Sequence, residues 1–367
     1  METSAPSQET LSNFARSILT RNLRVRPGER VTIEAWPHTL PWAVALAREA
    51  RRLGALPLVF YEDEDSYWDT VARGGARILG TVGDHEWATL SKTNVYIHMW
   101  GPGDRVRLAS LPAAQSGKLT AFNEEWYDRA RKAGVRGARL EIGRPYPTLA
   151  KAYGVDPQTW LDQVVAASMV SPADLERRAR PVSRALARGR TLRITHPNGT
   201  DLTLGLARRE PTEQVGRPRI GDRKRPLTFL TSIPSGAVRV ALDESVASGT
   251  IVGNRTCYYE DGVATEPTFE FRDGRLVGAR FGSGGERFDG PFRTGGAGRD
   301  RPGWFSIGLN PKLRDTPQLE DVEDEAVTVS VGGNRYLGGK NRSSFFGWAV
   351  LAGAKVEVDG HSIVPSE

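Results

Sequence analysis

The spacing of apolar residues near the start of the chain predicts alternating helices and strands. Residues 8–24 carry apolar side chains at helical spacing, which predicts an amphipathic helix. Alternation over residues 30–35 predicts a strand, residues 41–53 predict a helix that ends at Gly54, and residues 56–61 predict a second strand. A strand, a helix and a strand in quick succession are typical of a parallel α/β unit.

The same architecture continues toward the middle of the chain. Residues 94–99 and 140–143 predict further strands, and residues 123–133 predict a helix. Ser171, directly before a proline, is a typical helix start, because the serine hydroxyl can cap the first turn and proline fits its first position. We expect that helix to run toward Gly189.

Beyond residue 190 the pattern changes to short β-like segments separated by Gly, Asn, Asp and Pro. The predicted strands are 191–195, 201–206, 237–242, 249–252, 268–272, 327–331 and 355–359. Asp273 and Gly274 predict a two-residue hairpin turn. We therefore expect an α/β domain over residues 1–185 and a β-rich α+β domain over residues 186–367.

Composition and charge exclude several classes of protein. The chain has 367 residues and a net charge of +6, with basic residues scattered rather than gathered in a stripe. This pattern favours solubility over nucleic-acid binding. No apolar run approaches the roughly 18 residues of a membrane span. The start of the chain shows no export signal, and the single cysteine, Cys257, fits a reducing compartment. We expect a cytoplasmic protein with no membrane or nucleic-acid partner.

The common catalytic motifs do not occur in the sequence. Residues 282–285 are glycine-rich but lack the Lys-Ser/Thr ending of a phosphate-binding loop, and there is no G-x-S-x-G elbow. Cys257 lies in a predicted β segment and is interpreted as a buried structural thiol. The five histidines predict no local metal pair, and His196 is interpreted as a turn residue. Spacing alone leaves open a zinc site built from scattered ligands.

Six short motifs follow one another in order, after R-P-G-E-R at residues 26–30. They are P-x-G-T-D-L-T at 197–203, I-P-S-G at 233–236, D-E-S-V at 243–246, F-x-I-G-x-N-P at 305–311, G-G-K-N-R-S at 338–343 and V-D-G at 358–360. In this order they resemble the motifs of the thermophilic-type leucyl aminopeptidases, a family of two-metal exopeptidases. The resemblance covers nearly the full length. It implies the family's fold, an α/β N-terminal domain and a β-rich C-terminal domain, and a homodimer.

The positions at which that family places its metal ligands carry other residues here. The resemblance implies a Glu after I-P-[ST]-G, a Glu before F-x-I-G, a His in the strand that follows, and an H-x-D pair after N-R-S. This chain has Ala237, Trp304, Ser330, Phe346 and Trp348 at those positions. Ala, Phe and Trp offer no lone pair to a cation, and neutral Ser is a poor ligand. We therefore predict no metal and no other cofactor.

Two further consequences follow from the resemblance. The dihydroxypyridine ring-opening dioxygenases, a related branch, bind iron through the same His and Asp positions, so their ligands are also missing here. Of the family's active-site side chains, a tyrosine persists as Tyr336. The sequence thus predicts a metallopeptidase scaffold that is not an active metallopeptidase.

We predict a ligand-binding surface around these positions. Aromatic residues replace metal ligands and can stack on a bound molecule, and nearby cations can bind carboxylates. The predicted binding residues are Ala237, Arg239, Trp304, Ser330, Arg335, Tyr336, Lys340, Arg342, Phe346 and Trp348. Two simpler interpretations stay open: the aromatic residues fill the former cavity, and the cations are solvated loop charges.

Three functional hypotheses follow from these residues. The first is a non-catalytic protein that binds a peptide with acidic residues or a free carboxylate, as a helper in a modified-peptide natural product biosynthetic pathway. The second is a metal-free enzyme in which Tyr336, with Arg335 or Glu244, performs acid–base chemistry. The third is a structural subunit, because the family forms homodimers and an inactive chain can support an active relative.

Overall fold

The computed structural model of the protein describes residues 5–221 and 228–363. Its α-helices, numbered in chain order, are α1 (Gln8–Ser17), α2 (Leu40–Arg52), α3 (Glu64–Ala72), α4 (Ala76–Leu79), α5 (Asp84–Lys92), α6 (Arg105–Ala109), α7 (Ala113–Leu119), α8 (Asn123–Lys132), α9 (Pro147–Tyr153), α10 (Pro157–Ser168), α11 (Pro172–Arg188) and α12 (Glu286–Thr294). Short 3₁₀ turns occur at Pro37–Thr39, Glu141–Gly143 and Arg335–Leu337, and α1 continues into a π-helical turn at Ile18–Asn22.

The strands are also numbered in chain order. They are β1 (Arg30–Ala35), β2 (Leu56–Tyr61), β3 (Val95–Met99), β4 (Arg136–Leu140), β5 (Thr191–His196), β6 (Thr200–Gly205), β7 (Thr212–Gln214), β8 (Leu230–Ile233), β9 (Ala237–Ala241), β10 (Ala247–Val252), β11 (Cys257–Tyr259), β12 (Gly262–Ala264), β13 (Thr268–Arg272), β14 (Arg275–Arg280), β15 (Pro302–Gly308), β16 (Val327–Gly332), β17 (Phe346–Leu351), β18 (Lys355–Val358) and β19 (His361–Ser362).

The chain forms two compact units. The first contains Met1–Met169 and Gly216–Pro234, and the second contains Val170–Val215 and Ser235–Glu367. The predicted boundary near residue 185 lies inside α11, whose buried residues belong to the core of the second unit: Leu175, Ala179, Val182 and Leu186. The structure therefore divides the chain before α11, and a later segment returns to the first unit to supply β8.

The first unit is built on a five-stranded parallel sheet with the strand order β2-β1-β3-β4-β8. The predicted parallel α/β unit is thus confirmed. The prediction of a strand at residues 140–143 is wrong, because β4 ends at Leu140 and the next residues form a 3₁₀ turn. Two arginines of β4, Arg136 and Arg139, interrupt the apolar pattern from which a strand is predicted. Arg136 pairs with Glu29 at 2.7 Å, and Arg139 donates to the Tyr127 hydroxyl at 2.6 Å.

The second unit contains a seven-stranded sheet, β14-β13-β10-β6-β5-β18-β19, and a five-stranded sheet, β17-β16-β15-β9-β7. A common core joins apolar residues of both sheets, including Ile194, Phe269, Val240 and Val329. The Asp-Gly hairpin is confirmed, since β13 and β14 pair at Arg272 and Arg275. Asp273 and Gly274 both have positive φ, 50° and 71°, as a two-residue hairpin turn requires.

None of the helices within residues 5–221 and 228–363 is both long enough and apolar enough to cross a membrane.

Candidate functional site

Four neighbouring strands, β9, β15, β16 and β17, bring the predicted site positions onto one face of the five-stranded sheet. Alternate residues of these strands, such as Val238, Phe305 and Val329, enter the core. The residues between them lie on the opposite face, here called the site face. It includes all five positions at which metal ligands were expected: Ala237, Trp304, Ser330, Phe346 and Trp348. Strand pairing thus gathers residues that are up to 111 positions apart in sequence.

Three of these five residues lie inside the protein. Ala237 and Ser330 are fully buried, and Trp304 is 6% exposed. The Ser330 Oγ accepts a hydrogen bond from the Trp304 backbone N–H at 2.7 Å. The Trp304 side chain packs with Ala241 and Leu337. Trp304 therefore occupies interior volume on the site face, and Ser330 ties β15 to β16.

Arg239 has a partner within the protein. Its Nη2 donates to the Asp321 carboxylate, and its guanidinium lies 5.5 Å from the ring centroid of Trp304. Burial lowers the pKa of Arg239, whereas Tyr336 and Glu320 act in the opposite direction. Because removal of one partner would leave the other as an uncompensated buried charge, this pair is expected to be structural.

An aromatic ladder lies at the β17 side of the site face. The rings of Phe346 and Trp348 stack with centroids 6.0 Å apart, and Trp348 lies 5.0 Å from the ring of Tyr259. The Trp348 indole N–H donates to Glu320 Oε1 at 3.1 Å, which fixes the ring. Phe346 is 55% exposed. This ladder therefore offers apolar ring surface to solvent.

Tyr336, on the 3₁₀ turn after β16, is 41% exposed. Burial around its hydroxyl raises the pKa of Tyr336, whereas the Arg239 charge and the Trp304 indole lower it. The net increase keeps the phenol protonated at neutral pH. Tyr336 can therefore donate a hydrogen bond to a ligand, but it is a weak base there.

The connection from β16 to β17, residues 333–345, is here called the basic loop. Its three cations, Arg335, Lys340 and Arg342, are exposed, and no ion pair joins them to another residue in the described part of the chain. The loop backbone is nevertheless held firmly. The Asn334 and Asn341 amides donate to backbone oxygens outside the loop, on Gly298, Gly303 and Gly332, at 2.7–2.9 Å. The loop thus presents its cations from a well-supported backbone.

Glu244 supports the same loop from outside it. Its carboxylate accepts hydrogen bonds from Arg209 Nη2 at 2.6 Å, Asn334 Nδ2 at 3.0 Å and the Lys340 backbone N–H at 2.8 Å. Burial raises the pKa of Glu244, but these donors outweigh it and lower the pKa to about 2. Glu244 is therefore ionised at neutral pH and stabilises the loop through these hydrogen bonds. It is too weak a base for the acid–base role that was considered from the sequence.

Three acidic residues between β15 and β16 pair with arginines. Asp321 pairs with Arg239, Glu323 with Arg255 at 2.7 Å, and Asp324 with Arg178 at 2.7 Å. Among residues 5–221 and 228–363, no group of three or more His, Cys, Asp or Glu residues is placed to hold a metal ion. His196 lies at the end of β5, directly before the turn to β6.

Cys257 is fully buried, and its Sγ lies 3.3 Å from the Trp348 carbonyl oxygen. Burial raises the pKa of the thiol well above its ordinary value. The predicted buried structural thiol is confirmed, because such a group is protonated at neutral pH and is a poor nucleophile.

Sequence reasoning missed three residues that shape the site face: Tyr259, Glu320 and Asp321. Tyr259 follows Cys257 by two residues in the same short strand. The acidic run at residues 320–325 was the available signal for the other two, since it predicts partners for buried arginines. Their pairing with Trp348 and Arg239 required the folded arrangement.

Solved structures with the same fold support this architecture. Wild-type AmpT from Thermus thermophilus matches with a TM-score of 0.72 and 18% sequence identity, over 97% of each chain. A 2,5-dihydroxypyridine dioxygenase from Pseudomonas putida matches with a TM-score of 0.64 and 16% identity, over 99% of this chain and 97% of the other. These likenesses show the fold. No curated protein sequence matches this chain.

A match between the sequence and a family profile shows which family the chain belongs to. The profile of the family described as thermophilic metalloprotease (M29) matches residues 7–295, well over half of the 367 residues. Together with the shared two-part fold, this match identifies the chain as a member of the M29 thermophilic metalloprotease family.

Proposed function

We propose that this chain is a family member without the two-metal site, and that it binds a peptide without cleaving it. The observation that carries the proposal is the composition of the site face: Ala237, Trp304, Ser330, Phe346 and Trp348 occupy the expected ligand positions. A two-metal centre needs several carboxylates and imidazoles that converge on the cations. These residues do not fit such a centre.

The accessible residues of the site face and of the basic loop support the binding role. Phe346, Trp348 and Tyr336 expose aromatic surface, and the basic loop begins and ends beside Phe346 because Gly332 and Phe346 are register partners. Aromatic rings that are partly exposed and held in place are typical anchors for a peptide side chain. Ala237, Arg239, Trp304 and Ser330 act beneath this surface as its support.

The charge of the basic loop indicates the ligand class. The cations of the basic loop, Arg335, Lys340 and Arg342, are exposed. The nearby Glu244 carboxylate already accepts hydrogen bonds from Arg209 and Asn334. A peptide with acidic residues or a free C-terminal carboxylate complements this arrangement. Exposed charges of this kind contribute mainly to association rate and salt dependence, so the aromatic ladder is expected to supply most of the affinity.

A protein that holds a peptide without hydrolysing it can present a precursor to modifying enzymes. We therefore extend the proposal to a helper role in a modified-peptide biosynthetic pathway, with the protein acting as a homodimer. The metal-free enzyme receives less support, because Glu244 has a pKa of about 2 and Tyr336 has a raised pKa. Neither group is matched to proton abstraction at neutral pH.

Binding of synthetic peptides, followed by calorimetry and mass spectrometry, tests the proposal. An acidic peptide is expected to bind and remain intact, whereas the same peptide with Lys at its acidic positions is expected to bind far more weakly. The double variant Lys340→Gln, Arg342→Gln is expected to weaken acidic-peptide binding and its salt dependence, and Arg280→Gln, an exposed cation on β14, serves as the matched control. Chelator-sensitive removal of the first residue, or equal binding of both peptides, would contradict the proposal.

A further inference from the structure

The parallel sheet of the first unit has a reversal of strand order that the proposed function does not use. From β1 the chain moves outward to β2 on one side, and it then returns to β3 on the other side of β1. In open α/β sheets, such a reversal separates the connections that leave the two strands and opens a crevice at their carboxyl ends. Ligands bind preferentially at this place. Here it lies between the ends of β1 and β3.

Three polar side chains lie in a row across neighbouring strands at this edge. Glu34, His98 and Arg139 are each the penultimate residue of their strand, β1, β3 and β4. His98 and Arg139 are register partners, and the His98 Nδ1 contacts Glu34 Oε2. The other Glu34 oxygen accepts a hydrogen bond from the Tyr96 hydroxyl. Glu34 and His98 side chains are each 30% exposed, so the row is open to solvent.

Glu34 determines which imidazole nitrogen is available. Burial raises the pKa of Glu34, but the combined effect of His98, Tyr96 and Arg139 is larger and in the opposite direction. The net pKa is lowered, so the carboxylate stays ionised. An ionised carboxylate favours a proton on the nitrogen that it contacts, here Nδ1. Nε2 is then the ring nitrogen that remains for a ligand. No hydrogen-bond partner of Nε2 occurs among the described residues.

Arg139 supplies a cation one strand away from this nitrogen. Its Nη2 donates to the Tyr127 hydroxyl at 2.6 Å, which fixes the guanidinium and leaves further N–H groups of the fork for another acceptor. His98 and Arg139 lie on neighbouring strands about 4.8 Å apart, so one small molecule can reach both side chains. The ring centroid of Trp100 lies 5.2 Å from that of His98, so Trp100 borders the row; the Arg144 guanidinium lies 4.0 Å from the centroid of the Trp100 ring.

We propose that the Glu34–His98–Arg139 row is a second binding site that takes a small hydroxycarboxylate. The ligand hydroxyl forms a hydrogen bond with His98 Nε2, and the ligand carboxylate pairs with Arg139. Glu34 and Tyr96 act as positioning residues, because they touch His98 or its partner and not the ligand. The site lies within the first unit and does not depend on the peptide surface of the second.

Nuclear magnetic resonance of the histidine ring signals tests this site in the full chain, with the His98 signal assigned from His98→Gln. Lactate, malate and citrate are the probes. Propionate, which lacks the hydroxyl, and lactamide, which lacks the carboxylate, are the controls. At least one probe is expected to shift the His98 signal saturably, and neither control is. Arg139→Gln is expected to raise the dissociation constant at least about tenfold, whereas Arg131→Gln, an exposed cation on α8, is expected to leave it unchanged.

Several outcomes would overturn the inference. One is a folded wild-type protein in which none of the three probes moves the His98 signal saturably. Another is binding of propionate or lactamide as tight as that of the probes. The third is an unchanged dissociation constant in Arg139→Gln. Should that variant not fold, Arg139→Lys replaces it: it keeps the charge but loses the planar fork, so an intermediate loss is expected.

Discussion

Replacing Phe346 with alanine removes an exposed ring from the aromatic ladder of the site face. A buried aromatic side chain covers 150–250 Å² in proteins, so the 55% exposed fraction of Phe346 offers about 100 Å² to a ligand. At about 25 cal/mol per Å², full coverage contributes about 2.5 kcal/mol. That corresponds to roughly 60-fold in the dissociation constant, and to roughly tenfold if the ligand covers half of the ring.

The folded protein itself is expected to tolerate this change. The contact that Phe346 makes with Trp348 is one stacked pair, and such a pair contributes about 0.5–1.5 kcal/mol. Calorimetric titration of an acidic peptide into wild type and Phe346→Ala measures the effect, with denaturant unfolding alongside. Val277→Ala is the matched control, because Val277 is an apolar residue that is 52% exposed on β14, in the other sheet.

The reasoning is refuted if Phe346→Ala binds the peptide as tightly as wild type does. It is equally refuted if Val277→Ala weakens binding to the same extent, because the effect would then not belong to the site face. Loss of binding together with a large loss of stability would assign Phe346 to packing instead of recognition.

Two further predictions concern the support beneath this surface. Trp304→Ala leaves a cavity beside Ala241 and Leu337 and is expected to lower the free energy of unfolding by about 3–5 kcal/mol, measured by denaturant titration; a loss below about 1 kcal/mol would contradict the interior position. Glu244 has a folded pKa of about 2 against an ordinary 4.5, so its stabilisation is complete above pH 4.5 and is lost as the pH falls toward 2. Glu244→Gln is therefore expected to lose about 1–2 kcal/mol at neutral pH, after allowance for solvent screening, and to decline less steeply in acid. Parallel pH curves for the two proteins would contradict the role of Glu244 with Arg209.

Much of the fold follows from local pattern. Helical spacing at the start of the chain, the Ser171 cap and the Asp273-Gly274 turn each encode a conformation in a few neighbouring residues, and each is present in the structure. The strand at Arg136–Leu140 was not predictable in this way, because its two arginines interrupt the apolar pattern and find partners far away in sequence.

The candidate site was predictable as a set of positions but not as an arrangement. Motif order identified the residues of the site face, and strand alternation explains why they share one face. Burial could not be inferred for each residue, since it depends on long-range packing: Trp304 is buried whereas Phe346 is 55% exposed. The partners Asp321 and Glu320 come from a distant connection, and no local pattern links them to Arg239 or Trp348.

The metal content of the purified protein, measured by elemental analysis together with an aminopeptidase assay in added zinc, cobalt and manganese, tests the central claim most directly. A scaffold with Ala237, Trp304, Ser330, Phe346 and Trp348 at the expected ligand positions is predicted to retain less than stoichiometric metal and to show no activity that any of the three metals restores. Stoichiometric metal, or aminopeptidase activity that a chelator abolishes, would contradict the account and place the ligands elsewhere in the chain.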